Sequence, residues 1–228
     1  MASSALPPNV HVSSHPLLLA KLSQLRSAST PARDVKSLIS DITLILATEA
    51  LSKCLAVVPG PKDSTPLGFT YETVSLTPGS ISLVPILRSG LGMVEAVQQL
   101  LPNPSPVHHL GLFREPTTLA PVEYYNNLPT HHEEGKKPSA GLTIILDPVI
   151  ATGGTAAAAI ATLKEWGTER IVMLSVLGAV SGVKAAAGEW PEGTEIWLAG
   201  VDEELTERGM LKPGLGDVGD RLFLTIGK

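Results

Sequence analysis

Short, mostly continuous apolar runs follow one another along much of the chain, and a polar or amphipathic segment separates each run from the next. The runs cover residues 81–87, 107–113, 142–147, 170–178 and 195–202. Apolar residues with helical spacing lie between them, in residues 90–102, 155–167 and 181–190. Continuous runs are typical of strands buried on both faces of a parallel sheet, so this order predicts repeated βαβ units. We therefore expect an α/β fold with a mainly parallel central sheet flanked by helices.

The first quarter of the chain has a different pattern, which predicts helices. Residues 16–27 and 31–53 carry apolar side chains at helical spacing. Residues 1–14 contain several Pro and Ser residues and predict a loose N-terminal arm. Residues 57–68 are rich in Gly and Pro and predict a turn-rich connection to the first apolar run.

No stretch of the chain has the length and composition of a linker between domains. Residues 129–141 are polar and contain Gly and Pro, but they predict an exposed loop within one domain. The chain has 228 residues, of which 43% are hydrophobic and 17% charged, so it can bury a large core. We expect one domain over residues 1–228, with the single cysteine, Cys54, in its core.

The charge and the hydrophobic profile argue against two classes of partner. A net charge of -5 and a pI near 5.7 give no basic surface for nucleic acid or for an anionic membrane. No window approaches 18 consecutive apolar residues, and the first residues lack the pattern of a secretory signal. We expect a cytoplasmic protein that binds neither nucleic acid nor membrane and recognises any anionic substrate through locally placed donors.

The strongest chemical signal is the sequence DPVIATGGT, which joins a predicted strand to a predicted helix. The strand ends at Asp147, and the helix begins at about Thr155. Unpaired N–H groups and the helix dipole favour an anion at a helix N-terminus, and Gly153 and Gly154 allow a close backbone approach. A carboxylate nearby suits a sugar diol, so the loop predicts a ribose 5-phosphate site. The alternative is a plain Gly-Gly turn with Thr155 as a helix cap.

A second glycine-rich segment, GLGDVG at residues 214–219, matches the dinucleotide-binding pattern G-x-G-x-x-G. No strand leads directly into it, and only nine residues follow Gly219. A dinucleotide-binding βαβ unit cannot fit there, so these glycines must serve another purpose.

These segments together resemble the uracil phosphoribosyltransferases, a branch of the type I phosphoribosyltransferase family. DPVIATGGT is similar to that family's loop for 5-phosphoribosyl 1-pyrophosphate (PRPP), and the resemblance extends over nearly the whole chain. The other matching segments are residues 15–30, 84–93, 110–129 and 209–223. The resemblance implies a single-domain type I phosphoribosyltransferase fold with an N-terminal helical segment and a protruding arm.

The resemblance also implies a reaction in which PRPP and uracil give uridine monophosphate (UMP) and pyrophosphate. Catalytic roles are implied for Arg88, Asp147 and Asp217. PRPP binding is implied for Arg88, Arg114, Asp147, Pro148, Val149, Ile150, Ala151, Thr152, Gly153, Gly154, Thr155 and Asp217. Uracil binding is implied for Leu211, Gly216, Asp217 and Val218. Backbone groups of the glycine-rich segment can match the acceptor, donor and acceptor atoms on the edge of uracil.

Mg²⁺ is the cofactor that the resemblance implies, bound through PRPP and water, so we expect no dedicated protein metal site. His108 and His109 are adjacent on a predicted strand and point to opposite faces, which disfavours a shared metal. The pair His131 and His132 lies in the polar loop, where we expect solvation. The family also implies a homodimer or larger even assembly, and some of its members are activated by GTP.

Four positions depart from the family pattern. They are Pro116, Asn127, Ser181 and Met210. Two alternatives therefore stand beside the uracil reaction: a PRPP-dependent transferase for another base, and a catalytically weak relative that senses PRPP or a nucleotide.

Overall fold

The computed structural model describes residues 5–115, 121–129 and 140–225, apart from the side chain of Arg114. The helices are α1 (Pro16–Arg26), α2 (Ala32–Cys54), α3 (Leu91–Gln98), α4 (Gly154–Trp166), α5 (Val180–Ala187) and α6 (Val218–Phe223). The strands are β1 (Val10–Val12), β2 (Ala56–Ser64), β3 (Thr70–Thr77), β4 (Ile81–Leu87), β5 (Leu110–Arg114), β6 (Pro121–Asn126), β7 (Leu142–Leu146), β8 (Val149–Ile150), β9 (Ile171–Ala179), β10 (Thr194–Asp202), β11 (Glu204–Leu205) and β12 (Leu211–Lys212).

A central sheet organises the described part of the chain, with the strand order β1-β10-β9-β7-β4-β5-β6 and β8 paired to β9. All of its neighbouring pairs are parallel except β5 with β6 at one edge. Every residue of β7 and of β9 is buried, as the continuous apolar runs predict. The expected α/β fold with a mainly parallel sheet is confirmed.

Helices cover both faces of the sheet, and each face has its own apolar cluster. The side chains of α1, α2 and α3 form one cluster with β4, β7 and β9, whereas α4 and α5 form the other. Ile39, Ile42 and Leu46 of α2 are fully buried, at the spacing that placed them on one helix face. Cys54 is also buried, as expected, and burial raises the pKa of its thiol to about 12.

Two sequence predictions near the N-terminus are wrong. Within the expected loose arm, β1 adds a parallel strand to the edge of the sheet, beside β10. The preceding Asn9 anchors it by donating to the carbonyl oxygens of Ala187 and Thr194, at 3.1 and 3.0 Å. Within the expected connection, β2 pairs with β3 in an exposed antiparallel hairpin with an irregularity between Pro59 and Lys62. An exposed hairpin tolerates the Pro and Gly residues that argued against a strand.

The predicted exposed loop at residues 129–141 lies almost wholly outside the described residues. Of its described residues, Ala140 is buried just before β7. None of the helices in the described ranges combines the length and the apolar character needed to cross a bilayer.

Candidate active site

A cavity of about 550 Å³ opens at the carboxyl ends of β4, β5 and β7. In parallel α/β sheets this edge is where ligands bind. Twelve of the residues singled out from the sequence line it: Arg88, Asp147, Val149, Ile150, Ala151, Thr152, Gly153, Thr155, Leu211, Gly216, Asp217 and Val218. The two glycine-rich segments, about 60 residues apart in sequence, therefore meet across one cavity.

Three of the singled-out residues are placed differently. Pro148 does not line the cavity, because β9 holds it from behind: the N–H groups of Val176 and Leu177 both donate to its carbonyl oxygen at 3.0 Å. Gly154 is the first residue of α4 and is likewise not part of the lining. Arg114 ends β5, and its side chain lies outside the described part of the structure.

The loop before α4 has the geometry of an anion site. Gly153 stands at the N-cap with a φ of 86°, a left-handed conformation that favours glycine, and no described side chain caps the helix. Thr152, Gly153 and Thr155 border the cavity, so the N-terminal end of a 13-residue helix opens onto it. The helix dipole and the backbone N–H groups of the first turn make this end attractive to a phosphate group.

Close backbone packing against α5 fixes the same loop. A Cβ atom on Gly182 would overlap the carbonyl oxygen of Ala151 and would lie 2.9 Å from the nitrogen of Gly153. A Cβ atom on Gly153 would in turn overlap the carbonyl oxygen of Gly182. From the sequence, Ser181 was identified only as a departure from the family pattern, and this contact explains why a glycine follows it.

Asp147 follows β7 directly and is almost fully buried, with 7% of its surface exposed. Its backbone N–H donates to the carbonyl oxygen of Leu174 at 3.3 Å, which fixes the residue to β9. One carboxylate oxygen accepts from the N–H of Val149 at 3.5 Å. The carboxylate is thus held at the cavity wall, a few residues before the anion site.

Arg88 follows β4, the strand that neighbours β7, and lines the cavity after a cis peptide bond with Leu87. Its side chain is half-exposed and lies 3.5 Å from a carboxylate oxygen of Asp220 in α6. It also donates to the hydroxyl of Thr225 at 3.3 Å. Behind it, a Cβ atom on Gly90 would overlap the carbonyl oxygen of Leu146, so this turn packs tightly between β4 and β7.

The GLGDVG segment forms the remaining wall, between the β11–β12 hairpin and α6. Gly214 and Gly216 both adopt positive φ, at 67° and 79°. Asp217 is the N-cap of α6, and its side chain accepts from the N–H of Asp220 at 2.9 Å. Because α6 is a six-residue helix, the segment is no part of a dinucleotide-binding unit, as its context in the sequence indicated.

Several lining residues were not assigned to the cavity from the sequence. They are Ile86, Leu87, Ser89, Leu112, Phe113, Tyr124, Ala156, Met210, Pro213, Leu215 and Gly219. Phe113 and Tyr124 belong to the β5–β6 arm, and their ring centres are 6.1 Å apart. Most of these residues fall within the segments that resemble the family. Their closeness in sequence to the assigned positions could therefore have identified them.

The four departures from the family pattern have different surroundings. Met210 lines the cavity and is 37% exposed. Asn127 lies at the base of the arm, where its side-chain oxygen accepts from the N–H of His109 at 2.5 Å. Ser181 is in α5, next to Gly182. Pro116 lies outside the described residues.

The histidine pairs do not form a recognisable metal site within the described residues. His108 packs edge-on against Trp166 with ring centres 5.6 Å apart. Burial lowers its pKa, and the nearby His109 lowers it further. No group of three or more potential ligands that could hold a metal occurs among the residues with described positions. His131 and His132 lie outside those residues.

Comparison with known proteins agrees with the geometry. The sequence model of one family, described as uracil phosphoribosyltransferase, matches residues 12–225. The chain is 43% identical over 216 residues to a uracil phosphoribosyltransferase of Roseiflexus castenholzii and 38% identical over 216 residues to one of Desulfitobacterium hafniense. Each alignment covers 95% of this chain and 98% of the relative.

A solved structure of a protein from Aquifex aeolicus has the same fold. It superposes with a TM-score of 0.84 at 30% identity, over 95% of this chain and 98% of that one. The family match covers both glycine-rich segments and every cavity-lining residue. The chain therefore belongs to the uracil phosphoribosyltransferase family.

Proposed function

We propose that this protein transfers the 5-phosphoribosyl group of PRPP to uracil. N1 of uracil forms a bond to C1 of the ribose while the bond from C1 to the pyrophosphate oxygen breaks. The N1 proton leaves to solvent, and the products are UMP and pyrophosphate. The observation that carries this proposal is the meeting of an anion-binding helix end and a glycine-rich, base-sized backbone segment across one cavity of about 550 Å³.

The cavity suits the three parts of PRPP. The 5′-phosphate lies at the N-terminus of α4, where backbone N–H groups and the helix dipole favour negative charge. Asp147, held at the end of β7, accepts hydrogen bonds from the ribose hydroxyls. Arg88 holds the pyrophosphate, because a guanidinium stays charged and can bind two phosphate oxygens at once.

These residues act mainly by positioning and by electrostatics. Positive charge develops on the ribose as the bond at C1 breaks, and negative charge develops on the departing pyrophosphate. Asp147 faces the first and Arg88 the second, so each stabilises charge that is larger in the transition state than in the bound substrate. Arg114 is proposed to assist Arg88, on the strength of the family resemblance.

Uracil lies against the GLGDVG wall. Positive φ at Gly214 and Gly216 turns the backbone so that main-chain groups, and not side chains, can approach a ligand closely. Leu211 and Val218 border the base, and Asp217 lies between base and ribose. A base with a different order of donors and acceptors would leave backbone groups unpaired, which is the physical basis of selectivity.

Mg²⁺ fits this donor set only as a partner of PRPP. Asp147 and Asp217 bring carboxylates to the cavity, but the described residues contain no group of three that could cage a metal. Bound through pyrophosphate oxygens and water, Mg²⁺ would supply neutralisation of the pyrophosphate charge. Asp147 and Asp217 are the residues that would then accept hydrogen bonds from its waters.

Three parts of the proposal rest on the family resemblance alone. They are a homodimeric or larger even assembly, a cytoplasmic location and activation by GTP. Sedimentation of the purified protein tests the first, and addition of GTP to the assay tests the last.

The test of the proposed reaction is incubation of purified protein with PRPP, Mg²⁺ and one base at a time, with measurement of pyrophosphate release. Release with uracil alone is the expected result. Release only with another base would replace uracil as the substrate. Ligand-dependent thermal stabilisation without any release would identify a sensor of PRPP or nucleotide and overturn the proposal.

Two variants test the site itself. Arg88→Ala removes a charged donor from the developing pyrophosphate and should lower turnover by about 100-fold. Asp147→Asn removes the carboxylate charge and should lower turnover by about 10- to 100-fold. Arg33→Ala, at an exposed arginine of α2 away from the cavity, is the control and should not change the rate. Unchanged rates in both cavity variants would place the site elsewhere.

A further inference from the structure

A set of partly buried charged contacts joins the N-terminal helix α1 to the GLGDVG residues 214–219, called here the base segment. Arg26, the last residue of α1, makes two hydrogen bonds to the carboxylate of Asp202 at the end of β10, at 2.6 and 3.1 Å. The side chain of Asp202 is 4% exposed and that of Arg26 is 26% exposed. Two parallel bonds of this kind fix the guanidinium in orientation as well as in distance.

Gly214 is held between these two side chains. Its N–H donates to Asp202 at 2.9 Å, and its carbonyl oxygen accepts from Arg26 at 2.8 Å. Both polar groups of its backbone are therefore satisfied by one ion pair. Its φ of 67° and the overlap that a Cβ atom would have with the carbonyl oxygen of Leu211 leave the residue little freedom to relax.

A second arginine, on α6, also connects the end of α1 to the base segment. Arg221 of α6 donates to the carbonyl oxygen of Leu215 at 2.6 Å and to that of Leu25 at 2.7 Å. It also donates to the carbonyl oxygen of Ser27 at 3.0 Å. Its guanidinium thus binds the carboxyl end of α1 and the base segment together, and burial lowers its pKa.

Each residue of this set touches the base segment from behind, and none of the three charged residues lines the cavity. Gly214 directly precedes Leu215, Gly216 and Asp217, which do line it. The anion site at α4 has separate supports, since Ala151 and Gly153 pack on Gly182 of α5. The base segment and residues 147–153, the proposed phosphate loop, are therefore held by different parts of the molecule.

We propose that Arg26, Asp202 and Arg221 are positioning residues for base recognition, which set the backbone of residues 214–217 at the distance that uracil requires. The inference rests on the proposed function for the identity of the base. It assigns to the N-terminal helix a part in base recognition, through α1 and the two arginines that cross between it and the segment. PRPP binding involves this set only through Asp217, because the loop before α4 has separate supports.

The test uses two conservative variants, Arg26→Lys and Arg221→Lys, which keep the charge but cannot reproduce two-pronged or multiple guanidinium contacts. Lys21→Gln is the matched control, because Lys21 also lies on α1 and forms an ion pair with Asp41 at 2.7 Å, away from the base segment. In steady-state assays we expect the KM for uracil to rise by about tenfold in each arginine variant. The KM for PRPP should rise much less, because Asp217 is the one residue of the segment assigned to PRPP, and the control should match the parent protein.

Hydrogen exchange gives a readout that does not require activity. Amides of residues 211–219 should exchange faster in both arginine variants, whereas those of residues 147–156 should exchange as in the parent protein. Unchanged exchange at residues 211–219 in both folded variants would overturn the inference. A parallel rise of both KM values would overturn it too, because it would indicate general loosening.

The two proposals fail in distinguishable ways. Absence of turnover in the parent protein with uracil would refute the proposed function, while the exchange comparison would still decide whether the arginines position the segment. Normal turnover in the parent protein with unaltered uracil KM in both arginine variants would refute only the positioning role.

Discussion

The phosphate loop and the base segment, the two glycine-rich walls of the cavity, are held in place by different physical means. In the phosphate loop, backbone packs on backbone: Gly153 and Ala151 contact Gly182 of α5 with no room for a Cβ atom. In the base segment, charged side chains grip backbone polar groups, as Arg26 and Asp202 do at Gly214. The first arrangement depends on the absence of side chains, and the second depends on particular side chains that come from distant elements.

This difference teaches which substitutions each wall should tolerate. Tight backbone contact can be relieved only by moving the loop, since interiors are close-packed and transmit strain. A side-chain contact can be weakened in steps, by removing a charge or by exchanging arginine for lysine. The following three changes are ordered from the largest expected effect to the smallest.

Asp202→Ala breaks the side-chain support of the base segment at its most buried point. It removes the partner of Arg26 and leaves the N–H of Gly214 unpaired, so the free energy of unfolding should fall by about 3 kcal/mol. Urea denaturation measures this loss. Asp41→Ala is the control, because its ion pair with Lys21 is partly exposed and should contribute no more than about 1 kcal/mol. Equal losses in the two variants would contradict a special role for Asp202.

Gly182→Ala disrupts the backbone packing that supports the phosphate loop. The new Cβ atom would overlap the carbonyl oxygen of Ala151, so the loop must shift, at a cost of about 1–3 kcal/mol. We expect a raised KM for PRPP with a smaller change in the KM for uracil, the reverse of the arginine variants. Gly79→Ala is the control, since its Cβ atom would meet only the carbonyl oxygen of Leu76 at 3.5 Å. A KM for PRPP equal to that of the parent protein in Gly182→Ala would show that packing on Gly182 does not support the phosphate loop.

Lys212→Met removes a solvent-exposed ion pair next to the base segment. Lys212 pairs with Glu204 across the β11–β12 hairpin at 2.7 Å, and both side chains are more than 60% exposed. Of the three variants, Lys212→Met should have the smallest effect. Its change in the KM for uracil should vanish at high salt. A large, salt-insensitive effect would show that exposed charge supports the segment as much as buried charge does.

The same pair gives a pH dependence of definite sign. The hydrogen bond from Lys212, and then its charge, lower the pKa of Glu204, while the pKa of Lys212 is raised by the same contact. The contribution of the pair is therefore present at neutral pH. It is lost on acidification through the lowered pKa of Glu204, and lost on alkalinisation through the raised pKa of Lys212. The free energy of unfolding of the parent protein and of Lys212→Met, measured by urea denaturation from acidic to alkaline pH, gives this contribution as the difference between the two.

The sequence by itself determined the buried strands of the central sheet and the proposed phosphate loop. Continuous apolar runs located five of the buried strands to within a few residues, because burial on both faces leaves few polar positions in the pattern. Asp147 and the glycines before α4 were recognisable because strand end, turn and helix start are adjacent in sequence. Family resemblance then supplied roles, including those of Arg88 and the GLGDVG segment, that no local pattern could give.

Tertiary structure alone decided the rest. The edge strand β1 has only three residues and the β2–β3 hairpin is mostly exposed, so neither contains a long buried apolar run that the sequence could reveal. The need for glycine at Gly182 appears only when α5 lies on the phosphate loop. Arg26 meets Asp202 across 176 residues of sequence, and Arg221 meets Leu25 across 196. Contacts between residues so far apart leave no mark on local spacing, because only the packed fold brings their partners together.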